Sequence, residues 1–369
     1  ENIINNKMLS IFGKKTTLSS ALLLLFILFY STSNSQIVIN EFSCSNRNTI
    51  QDNYNNNEDW VELYNAGTAT VDLTGYHLSD KSSNPTKWQF PAVSIDANDH
   101  LIIFASSRDE FTGGILHTNF KITQNKQEYI VFSDPSGNVL DELQILNPTQ
   151  KDHSRGRSID GGSTWSVYTT PTPGDINTNP KGEYATTPIF NQDAGYHNFP
   201  TDVSLASPDV DVEIRYTLTG EEPTQTSTLY TSPISIATTT VVRTKAFSTN
   251  SNIPSSFTET NTYFIGDDYH TIKIASICGD QVDNLLNGSS GLHPDGVFEL
   301  FDEYGLLLDE SSGEFNKHGN DSWAYSQRGF DYITRDQYGI NHVINHKIFR
   351  TKDRTKFQRL ILKPAANDN

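Results

Sequence analysis

Glu58-Asp-Trp-Val-Glu-Leu-Tyr-Asn65 decides the architecture of this 369-residue chain. Val61 and Leu63 fall on one side of an extended backbone, and Trp60, Glu62 and Tyr64 on the other, the period-two signature of a strand. Upstream, Ile37-Val-Ile-Asn-Glu-Phe42 reads as a partner strand, joined to it by the polar loop Ser43 to Asn57. Downstream, Ala66-Gly67-Thr68 turns the chain into Val71–Ser79, and further short runs follow at His100–Ala105 and Glu128–Ser133. Asp, Asn, Gly and Pro punctuate them. That spacing predicts a β-sandwich over 37–178.

Pro171, Pro173, Pro180 and Pro188 among Thr, Asn and Gly give linker composition, placed at 179–186. A second strand series follows over 187–266, where Val212, Ile214, Tyr216 and Leu218 share one face. A third module runs from 267 to 369, with strands expected at Thr271–Ile277, Gly296–Asp302, Gln327–Arg335 and Phe357–Lys363, and a helix at Gln337–Phe349. Leu360-Ile361-Leu362 reads as a core strand that needs a neighbour on each side. The expected class is therefore mainly β and multidomain: two β-sandwiches, then an α+β module that stops early.

The net charge of −17 makes a nucleic-acid backbone a poor general partner. Lys14 and Lys15, the apolar run Ala21–Tyr30 and the small residues Ser33-Asn34-Ser35 form a secretory signal, with Gln36 as first mature residue and Met8 as the start. An uncleaved anchor is the alternative, but a bilayer span takes about twenty apolar residues. The chain is expected outside the cell or on its surface, with no membrane span once the signal is removed. Cys44 and Cys278, the only two cysteines, make no disulfide framework.

Three resemblances overlie this reading. "INEF…DWVELYN", the later Gly-Tyr-x-Leu-Ser-Asp80 and the run from Arg157 to Asn177 resemble the lamin-tail domain of bacterial secreted proteins. That implies an immunoglobulin-like sandwich with Trp60 and Trp165 in its core or rim, and structural Asp59 and Glu62. The run Ile214–Thr224, with Ser227, Tyr230 and Pro233-Ile234, resembles the chitobiase/β-hexosaminidase C-terminal type of domain, a fibronectin-like sandwich. Thr219 stands where that family more often has Asp. The strand-turn Gly296–Gly305 and the stretch from Glu314 onward resemble the opening of a CotH-type module, a secreted kinase-like family, although His318 stands where relatives carry Arg.

Phosphoryl transfer requires cations on the phosphates, oxygen ligands for the metal and a base on the acceptor. The CotH resemblance implies phosphate- or nucleotide-binding candidates at Arg328, Lys363, Asn320, Asn367 and Asp368. It implies ATP and Mg only for the complete protein, with catalytic carboxylates expected beyond Asn369 and this fragment inactive. The competing expectation is a non-catalytic adhesion or scaffold protein that binds surface proteins or polysaccharide. Asp52, Asn55, Asn57 and Asp59 offer hard oxygens for Ca²⁺, against the plainer reading of a solvated Asn-rich loop. His342 and His346, four apart on the expected helix, pose the same choice between a metal pair and a polar face. Glu221-Glu222 reads as turn charge, because adjacent carboxylates cannot face each other across a glycosidic bond.

Overall fold

The computed structural model describes residues 36–320, 323, 328–339 and 341–363. The signal segment, Asn367 and Asp368 lie outside the described residues. In the first module Trp60–Asn65 is central to a seven-stranded sheet. The order is Trp165–Tyr168, Ser154–Arg157, Ile37–Ser43, Trp60–Asn65, His100–Phe104, Ile115–His117, Glu110–Thr112. Pairing is antiparallel except between His100–Phe104 and Ile115–His117. A four-stranded sheet contributes Val139–Gln144, Tyr129–Ser133, His77–Ser79 and Trp88–Gln89. Ile39, Val61, Leu63 and Ile103 from the first sheet meet Leu78, Trp88, Ile130 and Phe132 from the second in one core. Val61 and Leu63 face this core, as the alternation requires. The opposite face of the strand is also covered, so Trp60 and Glu62 are fully buried.

The second module is a five-stranded sheet in the order Gly195–His197, Glu259–Ile265, Thr240–Ser248, Val212–Thr217, Thr228–Leu229. Two small pairs accompany it, Ile189–Phe190 with Leu205–Ala206 and Thr201–Val203 with Ile234–Ile236. Val203, Leu205, Ile234, Ile236, Val242 and Tyr263 form its core. The expected linker is a strap bonded along its length. Lys181 and Val167 exchange two backbone hydrogen bonds, and the Gly182 and Ala185 amides donate to Asn252 and Pro254. Arg155 donates to both oxygens of Glu183, and Tyr184 stacks on His153.

The third module is an antiparallel meander in chain order: Ile274–Cys278, Asp295–Phe301, Leu307–Lys317, Phe330–Thr334, Arg359–Leu362. The short helix Val282–Leu286 packs Val282 and Leu285 onto Phe298, Phe315 and Tyr332. No described helix is long and apolar enough to cross a membrane.

Two expectations for this module need correcting. Gln337–Phe349 is not a helix. A 3₁₀ turn, Asp336–Tyr338, is followed by irregular chain, and Ile344 bridges to Phe357. Side chains claim the polar groups a helix would need: Thr334 Oγ1 donates to the Asn341 carbonyl at 3.2 Å, and Asp309 accepts from the Asn345 amide. The described module is thus a β-meander with little helix. Arg359–Leu362 also has a neighbour on one side only among the described residues, and Ile361 is 48% exposed. Its alternation lets the strand stand at an edge, with Leu360 and Leu362 packed inward.

Candidate functional site

The lamin-tail signature residues converge on a buried polar network. Glu62 accepts from Asn40 Nδ2 at 3.0 Å and from the Gly174 amide at 2.6 Å. Glu41 accepts from Ser154 Oγ and from the Thr172 hydroxyl at 2.7 Å. Asp160 accepts from Asn40 and the Asn177 amide, and the Tyr168 hydroxyl donates to the Arg157 carbonyl. Burial pushes the Glu62 carboxyl up to about 8 and raises Glu41 too. The hydrogen bonds lash the Pro171–Asn177 loop over the sheet, and their donors are all the protein's own. Trp165 packs at the rim, its ring 5.8 Å from Phe42 and 5.3 Å from the Arg157 guanidinium.

The four Ca²⁺ candidates do not form a cage. Asp52 Oδ1 accepts the amides of Tyr54 and Asn56, both at 2.8 Å, so it holds its own loop. Asn57 Nδ2 donates to the Ile50 carbonyl, and Asn55 is exposed. Burial and the neighbouring Asp336 carry the Asp59 carboxyl well above its ordinary range. Arg108 NH2 stands 3.7 Å from Asp52 Oδ2 and 3.6 Å from Glu58 Oε1, the protein's own cation among these carboxylates. Among the described residues no group of three or more His, Cys, Asp or Glu is placed to hold a metal ion. His342 and His346 share no helix face, and His346 Nε2 lies 3.2 Å from Lys273 Nζ.

Two of the phosphate candidates, Arg328 and Lys363, come together at one end of the third sheet. Phe330 pairs with Leu362, which sets Lys363 across from Gly329, next to Arg328. Yet Arg328 NH1 donates to the Leu286 carbonyl at 2.8 Å, capping the short helix. Trp323 lies between the Lys317 ammonium, 5.3 Å from its ring, and the Arg328 guanidinium, 5.7 Å away. His318 Nδ1 stands 3.1 Å from Asp331, whose other oxygen accepts from Arg359 at 2.5 Å. Asn320 and Lys363 are exposed. The topology brings the sequence-chosen cations together but spends Arg328 on a carbonyl.

A larger site was not legible in the sequence: a cleft of about 450 Å³ where all three modules meet. Gln150 and Lys151 come from the first module, Lys245 and Glu259 from the second, Glu310 and Asn341 from the third. Charged pairs close its margins. Arg47 NH2 reaches Asp295 at 3.5 Å and Glu314 at 3.2 Å, with its guanidinium 4.5 Å from the Tyr338 ring. Lys151 also holds Asp295, at 2.7 Å. Glu222 binds Arg243 and Lys245, at 2.7 and 3.0 Å, so it is a structural ion-pair centre rather than plain turn charge. Gln124 clasps the 3₁₀ turn, its amide donating to Asp336 Oδ2 at 2.9 Å and its side chain to the Asp336 carbonyl at 2.8 Å. Apart from the Glu222 pairs, the partners here lie more than a hundred residues apart, a separation no local spacing reveals.

Comparison with known families places two of the modules. Residues 30–146 match the Lamin Tail Domain, and residues 192–259 match the Chitobiase/beta-hexosaminidase C-terminal domain. The seven-stranded sheet continues past the first match, through Ser154–Arg157 and Trp165–Tyr168. No curated protein matches the chain. The molecule thus joins a lamin-tail domain to a chitobiase/β-hexosaminidase C-terminal domain, and both pack against a third, β-meander module.

Proposed function

We propose that the chain is the binding scaffold of a secreted surface protein, holding three β modules in one fixed arrangement. The observation that carries this reading is Asp295, a third-module carboxylate held by both Arg47 and Lys151 of the first. Interdomain surfaces that merely touch leave their modules free to move. Side chains shared in this way hold them in register. The two residues a phosphate clamp would use, Arg328 and the position of His318, are engaged with Leu286 and Asp331. The test is saturable retention of the labelled protein on cell-envelope material, run beside an assay for phosphate transfer from ATP to envelope proteins. Retention without transfer is the expected outcome.

A second reading keeps the CotH-like kinase activity for the complete protein, with ATP and Mg as its cofactors. What favours it is the gathering of Lys317, Arg328 and Lys363 at one sheet end in a chain of net charge −17. Phosphate transfer that is abolished by Arg328→Ala would replace the scaffold reading with this one.

A further inference from the structure

We infer that the three-module cleft is a binding site for an organic ammonium group on a small ligand, which goes beyond the scaffold reading and does not depend on it. Its volume, about 450 Å³, falls within the roughly 300–1,000 Å³ of small-molecule sites. Its walls are unequal in charge. The cations Lys151, Arg243 and Lys245 are all taken by Asp295 and Glu222. Glu259 and Glu310, by contrast, have neither a side-chain hydrogen bond nor an ion pair among the described residues, although both are partly buried.

The sheet register sharpens this imbalance. Glu310 lies directly opposite Glu299 across antiparallel strands, an arrangement that costs stability. Glu299 is accommodated, since its oxygens accept from the Thr262 amide and hydroxyl, but Glu310 has no such donor among the described residues. Among the described residues no donor or cation meets Glu310, which leaves that place open to one carried by a ligand. A bare metal ion fits poorly. Ca²⁺ wants about six to eight oxygens, and no three-carboxylate group among the described residues is placed to surround one. An ammonium group on an alkyl chain fits better. It needs two or three acceptors, and Phe257, Thr258 and Thr260 line part of the space beside Glu259.

Burial, then repulsion from Glu259, Glu299 and Asp309, pushes Glu310 up to about 8. At neutral pH it holds a proton, and a bound ammonium would expel it. Binding should therefore release protons near pH 7 and tighten as pH rises toward 8.5.

The test is titration calorimetry of the full chain with 1,5-diaminopentane, in two buffers of different ionisation enthalpy, beside 1,5-pentanediol. The expected result has four parts: one saturable site, net proton release at pH 7, no heat from the diol, and at least about tenfold weaker binding in the Glu259→Gln/Glu310→Gln double variant. An absence of saturable heat would overturn the assignment. So would equal binding by the folded double variant, which would mean general association with an acidic surface. Proton release and the diol control read the wild-type protein alone, so the inference can fail even if the variant does not fold.

Discussion

Gly195 and Gly305 show how much a single hydrogen can carry. Both have left-handed backbones, with φ of +122° at Gly195 and +82° at Gly305. A Cβ on Gly305 would fall 1.7 Å from the Tyr196 ring, and one on Gly195 would fall 1.9 Å from the Gly305 carbonyl oxygen. The second and third modules approach so closely that only glycine fits. Gly305→Ala should cost about 1–3 kcal/mol through overpacking, read as a lower urea midpoint. The two thiols make a separate prediction. Cys44 and Cys278 are unpaired and buried, and burial carries the Cys278 thiol up to about 12. Both should resist a thiol reagent in the native state and react once urea opens the chain; prompt labelling without denaturant would contradict this burial.

At the scale of elements, strands were legible wherever apolar and polar residues alternate beside turn residues. Ile37–Ser43, Trp60–Asn65 and Val212–Thr217 form where the pattern puts them. The pattern misled at Gln337–Phe349, because its residues allow a helix while Thr334, just before it, and Asp309, on a more distant strand, occupy its backbone. The site was legible only in part: pairing registers bring Arg328 beside Lys363, but nothing local to Arg328 announces the Leu286 carbonyl it caps. The 3₁₀ turn Asp336–Tyr338 depends in the same way on Gln124, which also binds Thr149 through both ends of its amide. Gln124→Ala leaves the buried Thr149 amide without its acceptor and should cost about 1–3 kcal/mol. Hydrogen exchange should speed up at residues 336–339 while the Ile274–Cys278 strand stays protected. Unchanged exchange at the turn would show that the clasp does not hold it.

For the whole molecule, the buried acids set an unusual pH profile. Burial raises Glu62 and Glu310 to about 8 and Glu299 to about 7, from an ordinary 4.5. Between 4.5 and 8 these three carboxyls bind more protons in the folded chain than in the unfolded one, which lowers stability as pH rises through that window, while His153, lowered to about 4 by burial, opposes them below 6.5. Glu183 shifts the other way, lowered by its hydrogen bonds from Arg155, and Glu222, despite burial, is held down by Arg243 and Lys245. Their contribution is lost as pH drops below 4.5. The urea midpoint should therefore peak near about pH 5 and decline toward pH 8.5, and a midpoint that climbed up to pH 8 would contradict this. The strap at 181–185 bears on how the molecule would respond to force. Its residues are tied to Val167 on one side and to Asn252 and Pro254 on the other, so there is no slack to unreel between the first two modules. Tension along the chain would load those hydrogen bonds at once, and the two domains would share a pull as one body until the strap peeled.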